Sequence, residues 1–393
     1  MRRRGMVNLI TGGVAVLAGI IACAPLHTPT TTSDDAATLS TRDWRVVMIV
    51  FDRNSDAPHL HADITEFRDA GLSAAGAHRV VIQDSQIEEG TITYIDGDGE
   101  RTITDSELRT IDLTADTDLR TLLNVVARYF PADREALFLS GHGRDWTGFG
   151  YREDAPEQTL TSTTLAAALS SRDDVPSSQI IICDGSWTAT TEWVIPLSHL
   201  SVHVVGAAGE VSDGGLDYRA AIPAEPLGTA EEFARHLAAA VTTETAAGGV
   251  HLTPNQLSSL PAVVETIAAA GVQHIQSSLR QQELKDAVVD RGVTAGSPGL
   301  SWISIGDAAH ALHVDSNSDI DGANSPSTRS SDVNRMLLYV TDVDEHGVPT
   351  GHRTDYCTNS AHSHLSPQFQ ALGWAPDHQQ RRGFLYQLWY RRF

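Results

Sequence analysis

The sequence predicts an α/β/α sandwich with a mostly parallel sheet, a helical insertion and a small β-rich C-terminal part. Two observations carry that prediction. Short, continuous apolar runs recur up to Gly206, as strands buried on both faces require, and amphipathic helical patterns separate them. Beyond about residue 228 helical periodicity takes over, and alternation returns only after residue 333.

The elements follow in order. Trp44 leads into Arg45-Val46-Val47-Met48-Ile49-Val50-Phe51, a strand apolar on both faces. His59 to Ala70 carries Leu60, Ile64 and Phe67 at helical spacing, and Arg79-Val80-Val81-Ile82 is a second buried strand. Thr91 to Thr104 alternates about Asp96-Gly97-Asp98-Gly99, the pattern of a hairpin. Asp118 to Tyr129 places Leu119, Leu122, Leu123, Val126 and Tyr129 on one helical face, and Pro131 and Asp133 stop it. Ala136 to Ser140 is the third buried strand. A helix from Ser162 to Ser170 leads to the fourth, Ile180 to Cys183, and Val202 to Gly206 is the fifth. Helices are expected over Thr229 to Val241, Leu257 to Ala270 and Val272 to Val289. The tail alternates through Met336, Leu338 and Val340 and ends in an aromatic-rich run from Phe384 to Phe393. No internal repeat is visible.

Composition sets bounds on function. With 41% apolar residues, 393 residues bury a sizeable core. A formal charge of −22 argues against a nucleic-acid partner, which needs a basic face; it permits a basic one, although an acidic surface usually serves solubility. Lys285 is the only lysine; with so much Ala, that reads as base composition rather than function.

The N-terminus is more telling. Arg2, Arg3 and Arg4 precede an apolar stretch from Val14 to Ile21, too short to span a bilayer and typical of a secretory signal. Ile20-Ile21-Ala22-Cys23 resembles the bacterial lipobox, in which the cysteine is lipidated and becomes the mature N-terminus. The alternative is an uncleaved anchor helix with an incidental cysteine; either way the body lies outside the cytoplasm, tethered to a membrane. The expected organisation is a lipoprotein signal peptide (1–22), a disordered tether (23–42), an α/β domain (43–228), its helical extension (229–313), a polar linker (314–332) and a small β-rich region (333–393). Cys183 ends an Ile-rich run and is expected to be buried, so Cys183 and Cys357 read as free thiols.

In parallel α/β sheets, catalytic groups gather at the carboxyl ends of strands. The third strand runs into Ser140-Gly141-His142-Gly143 and the fourth into Asp184-Gly185-Ser186. Strands joined by one helix are usually neighbours. The His142 imidazole and the Ser186 hydroxyl are therefore expected to share a crevice, a base beside a nucleophile as acyl transfer requires. A backbone N–H near His142, that of Gly143 for example, suits an oxyanion hole. From the residues alone, His142 also fits an ordinary loop position and Ser186 an N-cap for a helix from Trp187.

The ordered set resembles the clostripain-like cysteine peptidases, which have a caspase-like fold. The resemblance rests on the Trp-led strand Trp44–Phe51, the hairpin after the second strand and Pro131-Ala132-Asp133-Arg134. It continues through His142-Gly143, the segment Trp146-Thr147-Gly148-Phe149-Gly150, Asp184-Gly185-Ser186 with Glu192, and the acidic stretch Gly209–Tyr218. It spans about residues 44–312. It implies His142 as general base, position 186 as nucleophile, Gly143 as an oxyanion donor, and Asp184 in a pocket for Arg or Lys side chains, with Asp213 and then Asp217 as further pocket acids. The implied partner is a protein or peptide with a basic residue at P1.

Ser186 is the departure, because the family has cysteine there. A thiol gains thiolate character beside a histidine, whereas an alcohol stays protonated until a base removes its proton during attack. The expectation is a peptidase-type domain that binds peptide but is weakened or inactive in hydrolysis. A working Ser186/His142 dyad and a non-catalytic surface scaffold are the alternatives. No cofactor or metal is expected. The competing pattern is a calcium loop, in which Asp96, Asp98, Glu100 and Glu107 fall at the first, third, fifth and twelfth EF-hand positions; Arg101 stands where that loop needs Gly.

Overall fold

The computed structural model describes residues 39–53, 57–71, 76–87, 89–96, 99–109, 111–141, 148–150, 158–186, 188–209, 211, 215–223, 227–245, 248–275, 281–282, 293–294, 300–305, 308, 337–342 and 367–372. Its strands are β1 (Arg42–Val50), β2 (Ala77–Gln83), β3 (Thr91–Asp96), β4 (Gly99–Thr104), β5 (Ala132–Ser140), β6 (Ser178–Asp184), β7 (Val202–Ala207), β8 (Gly249–Leu252), β9 (Val293–Thr294), β10 (Leu300–Ser304) and β11 (Leu337–Asp342). The helices are α1 (Ala57–Asp69), α2 (Asp84–Ile87), α3 (Asp116–Tyr129), α4 (Ser162–Ser170), α5 (Thr191–Val194), α6 (Tyr218–Ala221), α7 (Ala230–Glu244) and α8 (Pro254–His274). The main sheet runs β4-β3-β2-β1-β5-β6-β7-β8. Its central strands are parallel; the β3–β4 hairpin closes one edge and antiparallel β8 the other.

Period-two alternation sorts the side chains between two cores. Val46, Met48, Val50, Phe138, Ile180 and Ile182 face the side covered by α1, α6 and α7. Val47, Ile49, Leu137, Leu139, Ile181 and Cys183 face α3, α4 and α8. Continuing the alternation turns Ser140 and Asp184 toward α1 and α6. Helix starts are fixed locally. Thr229 caps α7 and Thr253 caps α8, each in a capping box with the Glu232 or Gln256 side chain.

A buried ionic network crosses the amino-terminal ends of the strands. Glu135 on β5 accepts from Arg45 Nε at 2.7 Å, Arg172 Nη2 at 3.1 Å and Gln179 Nε2 at 2.6 Å. Arg45 and Glu135 are both inaccessible to solvent. Burial alone would push the Glu135 carboxyl up, but the guanidiniums of Arg172 and Arg45 hold it down at about 2.

Several boundaries differ from the sequence reading. The third strand begins earlier than Ala136: β5 starts at Ala132, and the Arg134 guanidinium lies over the Trp44 ring at 5.0 Å. The stretch read as purely helical, 229–313, also contains β8, β9 and β10; these strands are too short to show a period. Val272 belongs to α8 rather than opening a new helix. The 91–104 segment pairs as a hairpin, Asp96 opposite Gly99, and Glu100 and Glu107 form ion pairs with Arg68 and Arg128. In the C-terminal part, β11 pairs with β10 in a separate small sheet.

Candidate active site

Strands β5 and β6 are parallel neighbours in the register Leu139↔Cys183 and Ser140↔Asp184, so the two candidate turns leave the sheet side by side. A Cβ added at Gly185 would lie 3.4 Å from the Gly141 carbonyl oxygen and 3.2 Å from the Phe149 ring, which shows how closely the turns approach. Gly150 has φ +74°, and a Cβ there would fall 2.3 Å from Cδ1 of Phe51, so glycine is required where the chain crosses that ring. His142, Gly143, Asp213 and Cys23 lie outside the described residues.

Ser186 is half-buried in the turn just beyond β6, and its Oγ accepts the Val211 N–H at 3.0 Å. It is not a helix N-cap. The next helix, α5, starts at Thr191, and the Thr190 side chain caps it by accepting from Trp193 N–H. Thr188 braces the turn: its buried hydroxyl donates toward the Cys183 and Gly185 carbonyls (3.1 and 3.2 Å) and accepts the Ala207 N–H at 2.9 Å. Cys183 is no substitute nucleophile. Its Sγ points into the opposite core and accepts the Trp193 indole N–H at 3.3 Å, and burial pushes its thiol up to about 12.

Asp184 is buried with its carboxylate turned toward α6, where it accepts the Tyr218 hydroxyl at 2.7 Å and the Leu216 N–H at 3.1 Å. Burial raises its carboxyl to about 6 despite those donors. Asp63 of α1, buried to 4% exposure, accepts the Ser140 hydroxyl at 3.1 Å. Its carboxyl is pushed up to about 8, first by burial and then by the Asp184 charge. The Tyr218 phenol is raised well above its ordinary range by burial and by these two carboxylates. Both carboxylates reach the open side of Gly215 (φ +66°), where an added Cβ would meet Asp184 Oδ2 at 3.3 Å and Asp63 Oδ2 at 3.5 Å. Asp217 serves as the N-cap of α6, accepting from Arg219 and Ala220 N–H. Glu192 is buried and accepts the Thr191 hydroxyl at 3.1 Å.

Asp63 and Tyr218 were not singled out as pocket residues in the sequence reading. Asp63 carried a usable signal: it lies between Leu60 and Phe67 on the apolar face of its helix, where an acid is out of place.

The arrangement is an α/β/α sandwich: a mostly parallel sheet covered on both faces, with a braced hydroxyl turn beside a second strand end. The clostripain family model matches residues 47–291, more than half of the chain, and the chain belongs to that family. A comparison with curated proteins gives no significant match. Similar solved structures include a secreted C11 cysteine protease from Bacteroides thetaiotaomicron in complex with an irreversible peptide inhibitor. It is 16% identical with a TM-score of 0.46, over 57% of this chain and 70% of that one. Another is an inactive zymogen C11 protease from Parabacteroides distasonis, 15% identical with a TM-score of 0.49, over 71% of this chain and 81% of that one.

Proposed function

We propose that this chain is a lipid-anchored, extracytoplasmic clostripain-type domain that binds peptides through a basic side chain and hydrolyses them weakly or not at all. The observation that carries the reading is a serine in the turn beyond β6, beside the end of the strand that leads to His142. In this reading His142 is the base, Ser186 stands in place of the nucleophilic cysteine, and Gly143 offers an N–H to the developing oxyanion. Asp184 meets a guanidinium or ammonium at P1, with Asp213 as a second pocket acid. A buried carboxylate suits a guanidinium because charge-assisted bonds are strongest away from water.

The pocket is tested by Asp184→Asn, which keeps the side-chain shape and removes the charge. Binding of an Arg-aldehyde peptide to the full-length protein in detergent is expected to weaken by about 100-fold, as for loss of one charged partner in a desolvated pair. A norleucine-aldehyde peptide is expected to bind both forms alike. Equal affinity of the two forms for the Arg ligand removes Asp184 from the pocket.

The anchor is carried by Cys23, and no described helix is long and apolar enough to cross a membrane. Two-phase detergent extraction is expected to place the unsubstituted chain in the detergent phase and Cys23→Ser in the aqueous phase. A Cys23→Ser chain that stays with detergent contradicts lipidation at that residue.

A further inference from the structure

We infer that Asp63 is a positioning residue of the basic-side-chain pocket: held by Ser140 on the same side of Gly215 as Asp184, it gives up a proton when a cationic side chain enters. This deepens the reading of Asp184 above and rests on it.

The coupling is geometric. Asp63, Ser140, Asp184 and Tyr218 come from α1, β5, β6 and α6, and they meet where β5 and β6 end, beneath the turn that carries Ser186. Ser140 donates to Asp63, and Tyr218 donates to Asp184 at 2.7 Å. Each of these hydroxyls has one proton and spends it on its own acid, so the two carboxyls act on each other through space, by charge, rather than along a continuous hydrogen-bond chain. Asp63 and Asp184 flank the same open side of Gly215. Among the described residues, the groups facing Asp63 are Asp184 from β6, Glu66 one turn along α1, Ser140 from β5 and Tyr218 from α6, and none of these is a cation. Glu244 adds a further negative charge felt by Asp184.

Burial and the Asp184 charge both favour the protonated form of Asp63. Asp184 accepts two donors, the Tyr218 hydroxyl and the Leu216 N–H, whereas Asp63 accepts one, the Ser140 hydroxyl, so the ionised form is the better supported on Asp184 and the proton stays on Asp63. A guanidinium or amidinium entering beside Asp184 favours the ionised form of Asp63 and expels the proton to solvent. By linkage, affinity for the cation then rises with pH until Asp63 is ionised in the empty pocket as well. The proton balance is simple: one carboxylic O–H is lost, one hydrated proton appears, and no other bond changes.

The test is calorimetric titration of the full-length protein in detergent with benzamidine, from pH 6 to pH 9, in buffers of different ionisation enthalpy. The unsubstituted chain is expected to release about one proton per benzamidine at pH 7, with affinity rising roughly 50-fold across the range. Asp63→Asn is expected to bind with almost no proton release at pH 7 and a flat profile from pH 7 to pH 9, the remaining slope below pH 7 belonging to Asp184. Ser140→Ala, which removes only the hydroxyl that favours the ionised form of Asp63, is expected to move the midpoint of the profile to higher pH. This second variant keeps the test decisive if Asp63→Asn does not fold. Benzamidine binding by the unsubstituted chain with neither proton release nor a pH slope overturns the role of Asp63 and leaves Asp184 as the pocket acid. Failure of the unsubstituted chain to bind benzamidine anywhere in the range overturns the basic-pocket reading and this inference together.

Discussion

Ser186→Cys is expected to raise hydrolysis of a fluorogenic peptide amide after Arg by about 10³-fold or more, approaching the cost of losing a hydrolase nucleophile. An alcohol must surrender its proton in the transition state, and serine enzymes orient the receiving histidine with a buried acid. The described acids nearest the turn are committed elsewhere: Asp184 to Tyr218 and Leu216, and Asp63 to Ser140. A thiol has less need of that support, because it has an unperturbed pKa of about 8.5 and ionises beside an imidazole before attack. The Val211 N–H, 3.0 Å from Ser186 Oγ, is placed to donate to a thiolate at the same position. His142→Ala in the cysteine background is expected to return the rate to that of the unsubstituted chain. If instead the unsubstituted chain already matches the cysteine variant and loses its activity with His142→Ala, Ser186 is a working nucleophile and the weakened-enzyme reading fails.

Glu135→Ala is expected to lower the unfolding free energy by about 3–5 kcal/mol, the range for breaking a buried ion pair by removing one partner. The loss comes less from the missing attraction than from what stays behind, since the buried guanidiniums of Arg45 and Arg172 would be left with only the half-exposed Asp174 as a carboxylate partner. Urea denaturation at pH 7 measures it, and a change below about 1 kcal/mol would place the network among those that contribute little. The same network predicts a pH effect. Because the folded carboxyl lies near 2, below its ordinary value of 4.5, its stabilisation is present above about 4.5 and is lost as pH falls toward 2. Denaturation midpoints are expected to drop through that window in the unsubstituted chain and to drop less in Glu135→Ala.

Much of the fold was legible because buried parallel strands advertise themselves as unbroken apolar runs. Trp44–Phe51 and Ile180–Cys183 needed no partner information to be recognised, and one intervening helix was enough to place β5 beside β6. The short strands were not legible. Gly249–Leu252 has four residues, and its membership of the sheet is decided by pairing with β7 rather than by any local pattern. At the site, Asp184 was visible as a strand-end acid, but its direction was not. That follows from the alternation that sends Ile180 and Ile182 toward α1 and α6 and carries Asp184 with them. Asp63 and Tyr218 are 155 positions apart in sequence (218 − 63), and only the packing of α1 and α6 on the same end of the sheet brings them together. Asp217 shows the opposite failure: an acid in a suggestive stretch whose carboxylate is used to start a helix.

The central claim is that position 186 holds the nucleophile's place in a pocket for basic side chains. Its most direct measurement is mass-spectrometric mapping of the Ser186→Cys protein after treatment with an Arg chloromethylketone peptide. The account predicts one adduct, on the introduced thiol, absent from Ser186→Cys with His142→Ala and slowed by Asp184→Asn. An unmodified introduced thiol, or label only on Cys183 or Cys357, would contradict it.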